Sequence, residues 1–342
     1  MRGEFTMASN RKVRSISYAK YGYMFILPFF LVYTFFQVYP LFNTFYLSFM
    51  PNSMKTTTIP AGTESVGLQN YIALLTGEGG RQFKAVHESF TRVLGNTVIL
   101  WLGNFIPQII LSLLLAAWFT DAFLKIKGKG FYKIVMYMPN IITAASVAAL
   151  FVMLFGDSKY GAINTLLINT GIKDTTTAFV SGENTSRVII MFIQTWMWFG
   201  NTMIMLMSGI MGINPSLFEA ANIDGATPTQ QFFQITMPLL RPIMIYTLVT
   251  SMIGGLQMFD IPYLFNTGTA QNKATETVAV FIYNHFHSFP VNFGYAAAAS
   301  VLLFIITAVL GVICFMFNKD DDPRAAEKKR SKNGLRSKLG GI

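Results

Sequence analysis

Residues 214–238 read NPSLFEAANIDGATPTQQFFQITMP and lie between two apolar runs of the 342-residue chain. Ser216 and Glu219 have the spacing of a capping box, and two good helix formers, Ala220 and Ala221, follow. Gly225 fits the left-handed position that ends many helices. The segment therefore predicts a short helix that is closed by a glycine turn.

A second short helix is predicted directly after this turn. Thr227 supplies its cap, Pro228 is a first-turn proline, and Gln230 completes a second capping box. Pro238 is expected to stop this helix at the membrane.

The first of these helices carries apolar residues in an otherwise polar loop. Leu217, Phe218 and Ile223 are too apolar for a free surface, so we expect the helix to dock in a groove of a protein partner. The alternative is an amphipathic hairpin that lies on lipid headgroups. Few Lys and Arg residues occur here, whereas lipid-surface helices are usually basic, which favours the protein partner.

The composition is that of a multi-span membrane protein. The chain is 52% hydrophobic and 12% charged, with a mean hydropathy of +0.45, whereas a soluble domain is roughly 25% charged. Six apolar runs are long enough to span a membrane. They cover about Gly22–Phe49, Val93–Phe119, Tyr132–Phe155, Val188–Met211, Leu239–Phe265 and Gly294–Phe317. The sequence thus predicts an all-α membrane protein with six transmembrane helices.

The positions of the basic residues predict the orientation. Of the 26 Lys and Arg residues, eighteen lie on one side of the six runs and eight on the other. Because positive residues favour the cytoplasm, both termini and the 214–238 loop are predicted to be cytoplasmic. Although the net charge is +10, its position between apolar runs argues against nucleic acid as a partner and for membrane lipid.

Three segments are expected along the chain. Residues 1–20 form a cytoplasmic tail. Its first five residues are expected to be a non-native addition that precedes a native start at Met7. Residues 21–318 form the six-span domain, with a functional loop at 212–238. Residues 319–342 form a second, mixed-charge cytoplasmic tail. The first run is too long for a signal peptide and is expected to be retained.

Signatures of catalytic and metal sites are absent from the sequence. It has no GxxxxGK[ST] loop, no HExxH and no GxSxG elbow, so we predict no catalytic residue and no bound nucleotide. His285 and His287 form a lone HxH, which is a poor metal site, and the single Cys314 excludes a disulfide framework. Asp260 is the one acid inside an apolar run, which disfavours a proton-coupled or ion-coupled carrier.

Polar side chains on the middle runs are candidates for a binding site at membrane depth. Polar groups at membrane depth usually face the protein interior, and amides combined with aromatic rings suit a sugar. The spacing i, i+4, i+7 places each of two sets on one helix face. The sets are Gln194, Trp198 and Asn201 in the fourth run, and Ser251, Gly255 and Met258 in the fifth; Asn104 and Gln108 in the second run are weaker candidates. The alternative is helix packing through small and amide residues.

The 214–238 loop resembles the EAA motif of permease subunits of ABC importers. The resemblance rests on Glu219-Ala-Ala-x-x-Asp-Gly-Ala and on Ile235-Thr-Met-Pro238. Within that family the chain is similar to carbohydrate permeases of the maltose and glycerol-phosphate type, through Phe259-Asp-Ile-Pro-Tyr263, Ala274-Thr-Glu-Thr277 and Phe293-Gly-Tyr-Ala-Ala-Ala298. The resemblance covers about Tyr23 to Asn318. In the sugar permeases the segment after the fifth span usually contains a run of glycines, whereas here it reads Asn266-Thr-Gly-Thr-Ala270. The given sequence also does not include the large external domain or the two leading spans of the maltose permease.

This resemblance implies the type I importer fold, a mechanism and a set of partners. The loop would form the coupling helix, which contacts an ATPase through Glu219, Ala220, Ala221, Asp224 and Gly225. The partners would be a second homologous permease, two ATPase subunits and an extracellular solute-binding protein. ATP and Mg would be bound by the ATPase, and this chain would hold no cofactor. The segments resemble those of the maltose-F-like or lactose-F-like subunit, which pairs with a different permease; homodimerisation is the alternative.

The function that follows is import of a carbohydrate, an oligosaccharide in particular, through the inner or plasma membrane of a prokaryote. The alternatives are a glycerol-phosphate-like or other non-sugar cargo, a secondary carrier, and a membrane scaffold that only docks a partner.

Overall fold

The computed structural model describes residues 19–51, 54–56, 59–60, 65–121, 124, 126–266, 272–287 and 292–316. The predicted tails and most of the 266–270 segment lie outside these ranges. Apart from one ribbon, in which β1 (Met54–Thr56) pairs antiparallel with β2 (Ile59–Pro60), the described elements are helices. The helices are α1 (Ala19–Tyr33), α2 (Tyr39–Leu47), α3 (Gln69–Leu75), α4 (Arg81–Thr120), α5 (Lys129–Tyr137), α6 (Ala144–Leu154), α7 (Ala162–Asn169), α8 (Glu183–Met211), α9 (Pro215–Ile223), α10 (Pro228–Gln231), α11 (Met237–Leu256), α12 (Asp260–Asn266), α13 (Val278–His287) and α14 (Phe293–Met316).

Five helical stretches within the described residues are long and apolar enough to cross a membrane. They are Lys20–Leu47, Arg81–Thr120, Glu183–Met211, Pro228–Phe265 and Phe293–Met316. They correspond to five of the six predicted runs, which confirms the all-α membrane class. The second stretch begins well before Val93 and the fourth well before Leu239, because a helix continues past the apolar residues that mark a membrane run.

The third predicted run, 132–155, is not one straight helix. It is divided between α5 and α6, which are bent by 91° at a short break. A turn of 3₁₀ helix at Met138–Ile141 ends the first part, with Pro139 at its start. Thr143 is extended and its Oγ1 accepts a bond from the Ser146 N–H at 3.3 Å, which begins the second part. Counting the bent pair as one span gives six.

The chain divides into two compact units, Met1–Tyr46 and Leu47–Ile342. In the first unit α1 continues into the start of α2 through a π-turn at Thr34–Val38, where the Tyr39 N–H bonds the Thr34 carbonyl. Pro40 follows immediately. The wider turn keeps the helix continuous just before a residue that has no N–H to donate.

The second unit contains the same device ahead of Pro238. A π-turn at Phe232–Thr236 connects α10 to α11, and the Met237 N–H bonds the Phe232 carbonyl. The prediction that Pro238 stops the helix is therefore wrong, because α11 runs through this proline to Leu256. Prolines are tolerated in membrane helices where local turns re-satisfy the freed backbone groups.

A polar seam joins α4 to α8 along the middle of the second unit. Its hydrogen bonds run from Thr195 Oγ1 to the Asn104 carbonyl (3.1 Å), from Gln108 Nε2 to Thr202 Oγ1 (2.8 Å) and from Ser112 Oγ to the Phe199 carbonyl (2.8 Å). Asn104, Gln108 and Ser112 are four residues apart and therefore share one face of α4. A hydrogen bond of this kind between membrane helices contributes about 0.6–2 kcal/mol.

Buried apolar side chains fill the space on either side of this seam. One cluster centres on Leu100, Ile190 and Ile193, and another on Leu115, Met203 and Leu206. Close approach depends on Gly200, whose missing Cβ leaves room for the Met136 carbonyl of α5. The core of the second unit is therefore built on α4 and α8.

The contact at Gly200 yields a stability prediction. A Cβ at this position would overlap the Met136 carbonyl and crowd Tyr137, and both contacts are with backbone that cannot rotate away. We expect Gly200→Ala to lower the free energy of unfolding by about 1–3 kcal/mol, measured by denaturation in mixed detergent micelles. The control is Gly311→Ala in α14, where a Cβ meets open space and replacing a helical glycine stabilises by about 0.5–1 kcal/mol. Equal effects of the two changes would contradict this packing.

Candidate functional site

The helix α9 begins at Pro215 and not at the predicted cap. Asn214 has extended backbone angles, and its Oδ1 accepts a bond from the Ser216 N–H at 3.1 Å. The predicted capping box between Ser216 and Glu219 is therefore wrong. Asn214 is an equally good cap, and the proline after it occupies the first helical position, where no N–H is required.

The turn after α9 has the geometry that the glycine predicts. Gly225 has φ +77°, its N–H bonds the Asn222 carbonyl at 3.1 Å, and the Ala226 N–H bonds the Ala221 carbonyl at 2.9 Å. These two bonds form a Schellman motif, which satisfies carbonyls that the end of the helix would leave without partners. The predicted left-handed turn at Gly225 is confirmed.

The second capping box is also confirmed. Gln230 Oε1 accepts a bond from the Thr227 N–H at 2.7 Å, and Thr227 Oγ1 accepts one from the Gln230 N–H at 3.3 Å. The helix that starts here continues through the π-turn into α11. The short helix α9 is thus connected by a tight turn to a long, candidate membrane-spanning helix.

The surface of α9 is open to a partner. It contains no buried residue, and Ile223 is 87% exposed and Leu217 44% exposed. Glu219 is exposed, and we find no hydrogen bond or ion pair to it from any described residue. A carboxylate and exposed apolar side chains, side by side on one short helix, are what a docking helix presents.

The other predicted coupling residues lie in the same α9 hairpin, by which we mean α9, the turn after it and α10 (residues 215–231). Ala220, Asp224 and Gly225 are exposed and Ala221 is half-buried. No atom lies within 4 Å of a Cβ placed at Gly225, so its left-handed backbone and not crowding is the constraint on this position. The fold brings all five predicted coupling residues onto one short element.

Behind α9 lies an open cavity of about 460 Å³. Leu217, near the start of α9, lines it together with residues at the end of α8 and the start of α11, which include Ser208, Gly212, Leu239 and Ile243. The first turn of α9 is therefore not closely packed on this side.

The predicted cargo face of α8 lies next to the seam. Gln194 is buried, Trp198 is 47% exposed and Asn201 is exposed. None of the three side chains hydrogen-bonds to a residue within the described ranges. Because a membrane-level amide is costly without a partner, the face of Trp198 and Asn201 is suited to a water-filled cavity or another chain.

The predicted residues of α11 have different surroundings. Ser251 is half-buried and makes no side-chain hydrogen bond to the part of the chain that the structure describes. Gly255 lies against the Trp101 indole, which a Cβ would overlap. Met258 is buried in the apolar cluster around Leu100. Gly255 and Met258 thus take part in packing, and Ser251 is the member of this set with an unused polar group.

The weaker candidates on α4 are engaged with α8 or with their own helix. Gln108 donates to Thr202 in the seam, and Asn104 Nδ2 donates to the Leu100 carbonyl at 2.9 Å. These bonds correspond to the helix-packing alternative for both residues.

A clamp that the sequence did not reveal holds the 272–277 segment. Asn96 Nδ2 donates to the carbonyls of Lys273 (2.8 Å) and Glu276 (3.0 Å), and Arg187 donates to Asn96 Oδ1 at 2.9 Å. Arg92 pairs with Glu276 at 3.1 Å. The stretch Ala274-Thr-Glu-Thr277 is thereby fixed to α4 and α8, and the signal that could have found the clamp was a pair of arginines at the ends of apolar runs.

The two histidines of the HxH pair are bonded locally. Nδ1 of His285 lies 2.9 Å from the Phe281 carbonyl, and Nδ1 of His287 lies 3.1 Å from the Tyr283 carbonyl. Burial lowers the pKa of His285, although the Phe281 carbonyl and the Glu276 charge act in the opposite direction. Across the described ranges, no group of three or more His, Cys, Asp or Glu side chains is arranged to hold a metal ion.

The chain is similar in sequence to permease proteins of bacterial transport systems. Over 302 residues the chain is 26% identical to the arabinooligosaccharides transport system permease protein AraP of Bacillus subtilis, covering 88% of this chain and 90% of that protein. It is 32% identical over 227 residues to the lactose transport system permease protein LacF of Rhizobium radiobacter, covering 66% and 75%.

A solved structure has the same fold. A chain in the crystal structure of a bacterial ABC transporter involved in the import of the acidic polysaccharide alginate matches with a TM-score of 0.72 and 22% identity, covering 89% of this chain and 96% of that one. The predicted importer permease fold is thus confirmed. Residues 97–320 match the family model of the binding-protein-dependent transport system inner membrane component. The chain belongs to that family, and is a membrane component of a transport system and not an enzyme.

Proposed function

We propose that the chain is one membrane subunit of an ATP-driven importer that takes up a carbohydrate, in particular an oligosaccharide. The exposed α9 hairpin carries this proposal, because Glu219 pairs with no residue that the structure describes and its apolar neighbours Leu217 and Ile223 are exposed. Support for the cargo class comes from the names of the relatives, which are permeases for arabinooligosaccharides and for lactose.

The proposed assembly has four kinds of component besides the cargo. They are this chain, a second homologous permease, two ATPase subunits and an extracellular binding protein. ATP and Mg bind to the ATPase subunits, since the sequence contains no P-loop. With both termini and α9 in the cytoplasm, as the basic residues predict, the hairpin lies on the side where ATP is available.

Each of the five coupling residues has a proposed role. Glu219 supplies a charge to a polar site on the ATPase, while Ala220 and Ala221 keep the helix thin enough for close approach. Asp224 caps the end of α9, and Gly225 provides the turn. Closure of the ATPases on ATP displaces α9, and the helices respond by a rigid-body transition between inward-facing and outward-facing states.

The open face of α8 is proposed to contact the cargo. The amides of Gln194 and Asn201 bind ring hydroxyls, and the exposed face of Trp198 covers the CH surface of a sugar ring. Ser251 adds a hydroxyl from α11. Gly255 and Met258 shape this region through their contacts with Trp101 and with the apolar cluster.

Reconstitution tests this function. The chain, purified with its co-purifying permease and ATPase subunits, is placed in liposomes and supplied with its binding protein. Uptake of a labelled arabinooligosaccharide, lactose and glycerol 3-phosphate is then measured with and without ATP. ATP-dependent uptake of a sugar is expected. Uptake that needs only a proton gradient, or ATP-dependent uptake of glycerol 3-phosphate alone, would overturn the proposal.

The turn at Gly225 gives a prediction on coupling. A β-branched residue resists positive φ, whereas asparagine tolerates it. Gly225→Val is therefore expected to leave the complex assembled but to separate ATP hydrolysis from uptake, and Gly225→Asn to retain most of the coupling. The measurement is cargo imported per ATP hydrolysed in liposomes. Normal coupling in the valine variant would contradict the role of the turn.

A tryptophan pair tests the cargo face. Trp198→Ala is expected to lower ATP-dependent uptake by about 10-fold, because stacking on a sugar ring contributes on the order of 1 kcal/mol and the cavity also loses apolar surface. Trp118→Ala is the matched control, since Trp118 is similarly exposed but lies near the end of α4. If the two variants transport equally well at equal assembly, Trp198 has no role in cargo binding.

A further inference from the structure

The side chain of Gln231 ties α9 to the helix that follows it. Its Nε2 donates to Asn222 Oδ1 at 2.6 Å and to the Ala226 carbonyl at 3.1 Å. Asn222 belongs to the last turn of α9, Ala226 lies in the connecting turn, and Gln231 is the last residue of α10. One amide group therefore bonds to both the helix and the turn that the hairpin contains.

This tie is partly shielded from solvent in a largely exposed hairpin. Gln231 is 8% exposed, whereas Asn222 and the residues of the second capping box are exposed. Both N–H groups of the Gln231 amide are used. A hydrogen bond that is protected from water holds its geometry more strongly than an exposed one, because water competes less for the same groups.

Apart from this tie and the two backbone bonds of the Schellman motif, α9 has little to hold its direction. It buries no residue, and Leu217 in its first turn faces an open cavity that is also lined by Leu239 and Ile243 of α11. Gly225 is the residue of this turn with the fewest steric limits on its backbone. Without a side-chain tie, only the two backbone bonds of the Schellman motif would resist a pivot of α9 about the glycine, and the turn would absorb part of a push on α9.

We propose that Gln231 is a positioning residue, which makes α9, the glycine turn and α10 move as one body and so transmits displacement of α9 to α11. The inference rests on the proposed function, because a displacement of α9 requires an ATPase partner. Gln231 acts through Asn222 and Ala226 and does not itself touch the ATPase or the cargo. Its role is distinct from that of the exposed motif residues, which form the contact surface.

The test replaces the amide with a side chain of similar size that cannot donate. Gln231→Met keeps the buried volume and removes both bonds. Gln234→Met is the matched control. Gln234 lies three residues further along the chain, in the π-turn that continues α10 into α11. It is exposed, and its side chain bonds to no described residue. Both variants are assembled with their partners in liposomes, and ATP hydrolysis and uptake are measured together.

Gln231→Met is expected to lower the cargo imported per ATP by about fivefold or more, since one neutral hydrogen bond contributes about that factor and the variant removes two, while assembly and ATP hydrolysis stay near wild type. Gln234→Met should leave the ratio unchanged. A merely structural role would reduce assembly, hydrolysis and uptake in proportion, and the ratio would not move. An unchanged ratio in Gln231→Met overturns the inference.

The Asn222 side of the tie provides a second readout. If Gln231 acts through Asn222, then Asn222→Ala lowers the same ratio, and adding it to Gln231→Met lowers the ratio little further. Fully multiplicative effects would contradict a shared tie. Failure of the proposed function is recognised separately, because wild-type liposomes would then show no ATP-dependent uptake.

Discussion

The structure depends on one constraint: the hydrocarbon interior of a membrane offers no hydrogen-bond partners. Backbone groups must be satisfied within helices, and polar side chains at the same depth must bond to one another. The seam of α4 and α8 meets this requirement with three bonds centred on Asn104, Gln108 and Ser112. Because the seam fixes these two long helices, it also fixes which face of α8 remains for other uses.

That remaining face contrasts with the seam. Trp198 and Asn201 carry polar and aromatic groups at membrane depth and stay open. Because a polar group at membrane depth is costly without a partner, an open polar face is most simply explained by a cavity that another component completes. The α9 hairpin shows the same contrast, since Asn214, the Schellman motif and the Thr227 capping box provide hydrogen bonds to its backbone while Glu219, Leu217 and Ile223 are exposed. Rigid backbone with unused side chains is the arrangement that a docking element requires.

Composition and local spacing predicted much of this from sequence. The apolar runs identified the membrane helices, and Gly225, Thr227 and Gln230 gave the turn and the second cap, because each depends on neighbours within three residues. Other features depend on geometry that a run of letters does not contain. Ser216 and Asn214 are both good caps, and the proline at 215 decides between them. A proline has no N–H, and the chain can respond with a π-turn, as it does before Pro238, or with a bend, as it does after Pro139. The residue letters do not show which response occurs.

Contacts between distant residues were the least accessible. Gln231 meets Asn222 only because the Schellman turn reverses the chain, and Asn96 meets Arg187 only because α4 packs on α8. The spacing of small residues does not distinguish helix packing from cargo contact. The sequence therefore groups Gly255 with Ser251, although Gly255 lies against Trp101. The tail segments and residues 267–271 lie outside the described ranges, so the expectations for them stay predictions.

The most direct measurement of the central claim is the composition of the complex that this chain forms. The chain would be captured from its native membranes in mild detergent, and every co-purifying protein identified and counted. We predict a second permease and two ATPase subunits for each copy, with a binding protein present when cargo is supplied. A stable chain that is recovered alone would contradict the account, because the exposed hairpin would then have no ATPase to contact.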